Sequence, residues 1–284
     1  MMLDGVMLLW FVLTAISVLY VGIDIRSTPA SPVLKWGFVL LTAYTGPVGA
    51  FLYVLGCREP LPGVHERYTM VRWRQVLGST MHCVAGDGIG ILVGAVIAAL
   101  TELSGFGDVA LEYVLGFGFG WSIFQSLFMR DMADGSYMRA LVGTFFPELL
   151  SMNSLMAGMV PVMTVARAHV AGSRDPSHPA FWFVMSMALL VGFVTAYPMN
   201  WWLVTRRLKH GMMTVRPPAQ TTGDAEVSTP GHGTAPMHGH RNRGADMPHS
   251  REAPVTGQTL AAMTALSFAV LALGLGLAMF FGRL

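Results

Sequence analysis

The chain alternates long apolar runs with short polar stretches. The apolar runs fall at about 6–23, 36–56, 77–100, 111–128, 140–166, 181–205 and 258–281. A helix needs roughly 20 apolar residues to cross a hydrocarbon core about 30 Å thick. Runs that are apolar all the way round, with no polar face, suit lipid better than the edge of a water-soluble core. The pattern predicts an all-α, polytopic transmembrane helix bundle of seven spans. In the fifth run Pro147 precedes Glu148, and Pro161 follows a few turns later. Proline removes a backbone donor and crowds the preceding turn, so this helix is expected to be interrupted. Only MMLDG precedes the first run, without the basic stretch of a secretory leader, which predicts a retained helix.

Composition strengthens this reading. Hydrophobic residues form 53% of the chain and charged residues 12%, about half the charged share of an ordinary soluble domain. The net charge of +2 is spread over the ends of the apolar runs and forms no continuous basic stripe, so no nucleic-acid partner is expected. The regions on one side of the seven spans hold 13 of the Lys and Arg residues and those on the other hold 5. That bias predicts a cytoplasmic N-terminus, cytoplasmic residues 206–257 and a C-terminus on the periplasmic or extracellular side. Residues 214–257 are rich in Pro, Gly, Thr, Ser and His and too poor in apolar surface to form a core. The expected organisation is a six-span bundle over 1–213, a flexible cytosolic linker over 214–257 and a final span over 258–284.

The third run carries the densest polar chemistry, in STMHCVAGDGIGILVG. Cys83 and Asp87 are four residues apart and share a helical face, whereas His82 points roughly 100° away. A carboxylate within a bilayer is costly unless it is neutral, paired or facing a polar cavity, which makes Asp87 a site candidate. His82 adds an imidazole able to relay a proton or ligate a transition metal. The same segment repeats Gly86, Gly90 and Gly94, a small-residue ridge that predicts close approach of another helix. Cys57 and Cys83 both fall near the side predicted to be cytoplasmic and reducing, so no disulfide is expected.

Glu148 in the fifth run is the second intramembrane carboxylate. Met152, Met156, Met159 and Met163 follow it at offsets that line one helical face. Their thioethers suit core packing and also offer soft ligands along a copper route. Asn153, Tyr197 and Asn200 complete the candidate transport or proton-relay set with His82, Asp87 and Glu148. The candidate metal ligands are His82, Cys83 and the four methionines, together with His232, His238, His240 and His249 of the linker. Arg206, Arg207 and Lys209 are read as residues that orient the sixth span and meet lipid headgroups. No hydrolase or kinase motif is present, and no catalytic residue is assigned.

The ordered set MHCVAGDGIG, FFPELLSMNSLMAGM and YPMNWWLV…LKHGM resembles an uncharacterised family of bacterial polytopic membrane proteins over residues 38–213. The resemblance implies a shared helical membrane fold, and with it a bacterial inner-membrane location; it implies no substrate. From the residues themselves, the favoured function is transition-metal handling or transport through a polar site in the bundle, with Cu(I) as ligand or substrate. The alternatives are a proton-coupled transporter of another small solute, a membrane assembly or structural protein, and an intramembrane enzyme, with a non-enzymatic role favoured. The residues establish no cofactor beyond Cu(I) as the candidate ligand or substrate. Membrane lipids are the expected partners, with room for a protein partner or an oligomer.

Overall fold

The computed structural model describes residues 2–61, 63–129, 136–209, 211 and 255–282. These residues form helices and no strand: α1 (Met2–Asp24), α2 (Pro32–Thr45), α3 (Pro47–Gly56), α4 (His65–Thr69), α5 (Arg72–Leu100), α6 (Phe106–Phe119), a π-helical turn (Gly120–Gln125), α7 (Ser126–Met129), α8 (Tyr137–His169), α9 (Pro179–Thr205) and α10 (Gly257–Gly282). Five of them, α1, α5, α8, α9 and α10, are each long and apolar enough to cross a membrane. The other two of the seven expected runs are assembled from shorter pieces. Gly46, at φ +58°, separates α2 from α3 just before Pro47. The fourth run passes from α6 through the π turn into α7.

The interruption expected in the fifth run is not where the chain breaks. α8 runs unbroken from Tyr137 to His169 with Pro147 and Pro161 inside it. Each proline removes one backbone donor, but the turns on both sides keep their own ladder and the helix is held between neighbours. α8 packs against α9 and α10, while α5 packs against α6 and α9. The core between them contains Met81, Ile91, Leu155, Met156, Met159, Phe181 and Leu189. Outside it, large apolar side chains such as Leu8, Leu19, Trp36, Phe51, Val142, Val194 and Phe280 are exposed. So much outward apolar surface is compatible with contact with lipid.

The glycine ridge of α5 is where the π turn and α6 approach most closely. A Cβ on Gly86 would meet Phe124, and one on Gly94 would lie 2.9 Å from the Glu112 Cα. At Gly90 the obstacle is rigid, since a Cβ would stand 2.7 Å from the Gly116 Cα and against the Leu115 carbonyl. Gly90→Ala is therefore expected to lower stability by about 1–3 kcal/mol through overpacking. Gly118→Ala, with nothing within 4 Å of its Cβ, should be neutral or mildly stabilising because alanine favours helix. Thermal unfolding of the two purified variants checks this; equal behaviour would remove the close-packing explanation.

α10 docks on α8 partly through a polar chain. Tyr113 Oη donates to Asn153 Oδ1 at 2.6 Å, and Asn153 Nδ2 donates to Ser267 Oγ at 3.1 Å. The Asn153 amide thus joins α6, α8 and α10, an interhelical role of the kind that polar side chains take where water is absent.

Candidate functional site

Among the long helices, α5 and α8 place three potential ligands together. A ligand atom from each of Cys83, Asp87 and Glu148 lies within 4.8 Å of the others, and all three residues are buried. The helical repeat explains why α5 contributes two of them: Cys83 and Asp87 are one turn apart on the face turned to α8. Glu148 meets them from α8. Cys83 Sγ is 2.9 Å from Glu148 Oε1 and 3.2 Å from Ser151 Oγ; its single S–H can serve one acceptor at a time.

Lys209 enters this cluster from beyond the end of α9. Its ammonium donates to Cys83 Sγ at 2.8 Å and to Glu148 Oε2 at 3.0 Å, with its side chain 1% exposed. Asn200 extends the network by donating to Ser151 Oγ at 2.8 Å and to the Ala196 carbonyl at 3.1 Å. Asp87 is fully buried, and the side chains within hydrogen-bonding range of its carboxyl are those of Cys83 and Glu148. A buried carboxylate set against a second carboxylate is costly and asks for a proton, an ion or a ligand.

The π turn shapes the wall opposite. An extra residue per turn widens a helix locally, and such turns are frequent at functional sites. Gly120, the first residue of this one, faces Asp87: a Cβ there would collide with the carboxylate and stand 3.1 Å from the Asp87 backbone nitrogen. Glycine is thus what leaves room for the Asp87 side chain. The last residue, Gln125, places its Oε1 3.2 Å from His82 Nδ1, and Phe124 packs against the His82 ring.

The sequence candidates are therefore divided by the fold. Cys83, Asp87 and Glu148 come together, and Asn200 joins them through Ser151. His82 is turned toward Gln125 on another face of α5. Tyr197 donates to the Trp73 carbonyl at 3.2 Å, and Asn153 bridges helices through Tyr113 and Ser267. Met152, Met156, Met159 and Met163 are all fully buried along α8. Met152 and the Asp87 carbonyl both lie beside Gly116. Cys57 and Cys83 are free and buried, with Cys57 at the end of α3. His232, His238, His240 and His249 lie outside the described residues.

Two contributors were not selected by sequence reasoning. Ser151 sits one turn after Glu148, a spacing that could have nominated it. Lys209 was grouped with Arg206 and Arg207 as a headgroup contact; those two arginines are exposed, whereas Lys209 is buried. Nothing in a basic run after a helix tells which member turns inward.

No curated protein and no solved structure matches the chain. A family model does match, over a shorter stretch than the expected 38–213 that leaves α2 and α3 outside. Residues 72–209, slightly under half of the chain and including Cys83, Asp87, Glu148 and Lys209, match the model of a domain of unknown function, DUF4396.

Proposed function

We propose that this protein binds and transports a transition-metal ion, and that Cys83, Asp87 and Glu148 are the ligands at the centre of its route. The observation that carries the reading is the convergence of one sulfur and two carboxylates within 4.8 Å, all three in buried residues. The setting is a bacterial inner membrane, with the N-terminus and residues 206–257 on the cytoplasmic side, as the distribution of basic residues favours. Residues 1–213 form the bundle, and the linker leads to the last span at 258–284.

The donor set bears on which ion is handled. Cu(I) favours sulfur ligands, whereas one thiolate with two carboxylates suits an ion of intermediate hardness such as Zn²⁺ or Co²⁺. Charge points the same way. With all three ligands ionised, three negative charges face the one positive charge of Lys209, and a divalent ion leaves the buried set neutral. Cu(I) would leave one uncompensated negative charge, which is expensive away from water. We therefore favour a divalent ion over Cu(I), with the methionines as packing and as a secondary soft surface.

The test is titration of the purified full chain with Co²⁺. One ion per chain is expected, with the intense near-ultraviolet charge-transfer band of a cobalt–thiolate bond. Cys83→Ser should abolish the band, and Asp87→Asn should weaken binding by at least about 100-fold, since even indirect partners of a metal ligand contribute 10–100-fold. Flux of the same ion into sealed proteoliposomes then separates transport from storage. Absence of both binding and flux, with Cu(I) tried alongside, would sink the reading.

A second reading rests on Lys209 itself. Its ammonium already supplies a cation to Glu148 and Cys83, so the cluster could be a clasp that ties the end of α9 to α5 and α8. On that reading, no metal binds and Lys209 is needed for stability alone.

A further inference from the structure

A second buried polar cluster lies at the far end of α8, about five helical turns from Glu148. There Arg167 pairs with two carboxyl groups of α6: its Nη1 contacts Asp108 Oδ2, and its Nη2 is 3.2 Å from Glu112 Oε1. Glu112 is also hydrogen-bonded to Asp108. Two carboxyl groups share a hydrogen bond only through a proton on one of them. The acidic pair therefore carries one negative charge, and the Arg167 guanidinium balances it.

Beside this pair is a cavity of about 70 Å³, at the level where α5, α8 and α10 end and α6 begins. Asp108 is the one carboxylate in its lining, against the guanidinium groups of Arg167 and Arg174. Arg174 stands at the exposed rim. With Arg167 already balanced, Arg174 leaves the lining with an excess of positive charge.

The cavity wall also holds donors that lack acceptors. Arg167 Nε is buried with no hydrogen-bond partner among the described residues, on a side chain only 9% exposed. An orphaned donor at that depth is costly and asks for an acceptor. α6 starts from Gly105, which lines the cavity and has no side chain to cap the helix. The N–H groups of the first turn are left open there, at the positive end of the helix dipole. Ser104 adds a hydroxyl to the same wall. Backbone N–H groups at a helix start, joined by arginine, form a setting that favours phosphate oxygens. The volume exceeds that of two waters in the liquid, about 30 Å³ each, and suits a group of phosphate size.

We infer that this cavity binds a phosphate group, supplied either as the free ion or as the phosphodiester of an anionic lipid. Arg167 Nε and the first turn of α6 donate from within, and Arg174 closes the site from the rim. The lipid source has a place for its chains, since Leu103 of the lining and the neighbouring Leu100, Phe106 and Phe281 are exposed apolar side chains. Either source ties together helix ends that meet at this level. The site does not depend on the metal-binding reading above.

The experiment is thermal unfolding of the delipidated full chain in an uncharged detergent. In one arm inorganic phosphate replaces chloride at constant ionic strength and pH. In the other a short-chain phosphatidylglycerol is added, against the matching diacylglycerol, which lacks the phosphate. The favourable anion should raise the melting temperature saturably, by about 3–6 °C at ten times its dissociation constant. A response to both identifies the phosphate group itself as the ligand; a response to one alone identifies the source. Arg174→Gln, at an exposed position, should raise the half-saturating concentration about tenfold or more, as loss of a charged hydrogen bond does. Ser104→Asp, also exposed, places a repelling carboxylate at the wall and should act in the same direction. Both variants should keep the cobalt–thiolate band. The inference is overturned if neither phosphate nor phosphatidylglycerol stabilises the wild type beyond its control. It is equally overturned if the response is unchanged in both folded variants, which would mark a general effect of salt or lipid.

Discussion

Replacing Lys209 with methionine is expected to destabilise the folded protein by about 3–5 kcal/mol, the usual cost of removing one partner of a buried ion pair. Methionine fills similar space, so the loss is electrical and not steric. Glu148 is fully buried and would keep Cys83 and Asp87 as polar neighbours, and among the described residues no second Lys or Arg pairs with it. The double variant Lys209→Met/Glu148→Gln removes both charges and should recover most of the loss, because contacting residues do not act independently. Reversible unfolding in mixed detergent measures all three proteins. A single variant as stable as wild type, or a double variant no better than the single, would show that the pair is not what holds this region.

The same variant separates the two readings of the cluster. If the ammonium occupies a position that a metal ion takes, its removal should tighten Co²⁺ binding, and added Zn²⁺ should restore stability to Lys209→Met more than to wild type. If the lysine is a clasp and no more, metal will not rescue the variant. Stabilisation by a ligand that binds only the folded state follows mass action, so the rescue should grow with the logarithm of free metal above the dissociation constant.

Arg167→Leu is expected to have the largest effect of any single substitution proposed for this protein. It strips the cation that pairs with both Asp108 and Glu112 and leaves two carboxylates close to each other with little access to water. The loss should reach or exceed about 5 kcal/mol, the upper end for a broken buried pair. Adding Asp108→Asn and Glu112→Gln should restore folding by removing the charges that lack a partner. The measurement is the yield of monodisperse protein together with its unfolding midpoint. Full stability in Arg167→Leu alone would mean that the ion pairs with Asp108 and Glu112 are not what holds this end of the bundle.

Much of the architecture was legible because hydrophobic length is a strong signal. Helices long enough to cross a membrane stand at five of the seven apolar runs, and the Gly86, Gly90 and Gly94 spacing pointed to a close helix contact that the fold contains. The proline argument erred in place. Pro147 and Pro161 sit within one continuous helix, whereas the real irregularities lie at Gly46 and at the π turn from Gly120 to Gln125. A proline states a local cost, but neighbouring helices decide whether that cost breaks the helix. The π turn has no sequence signature of comparable strength, since its residues are placed against Asp87 and His82 of another helix.

Sequence by itself singled out Cys83, Asp87 and Glu148 as candidates, because charge and thiol groups are rare in such apolar runs. It also determined that Cys83 and Asp87 share a face, a relation fixed by the helical repeat within one element. Only the tertiary structure decided that Glu148 meets them, that His82 turns to Gln125, and that Lys209 folds inward while Arg206 and Arg207 do not. It also decided that Asp108 and Glu112 share a single arginine from a helix more than fifty residues away. Periodicity within a helix is local and can be read from spacing. The rotation and depth at which one helix meets another depend on the packing of many side chains at once, and no single segment records them.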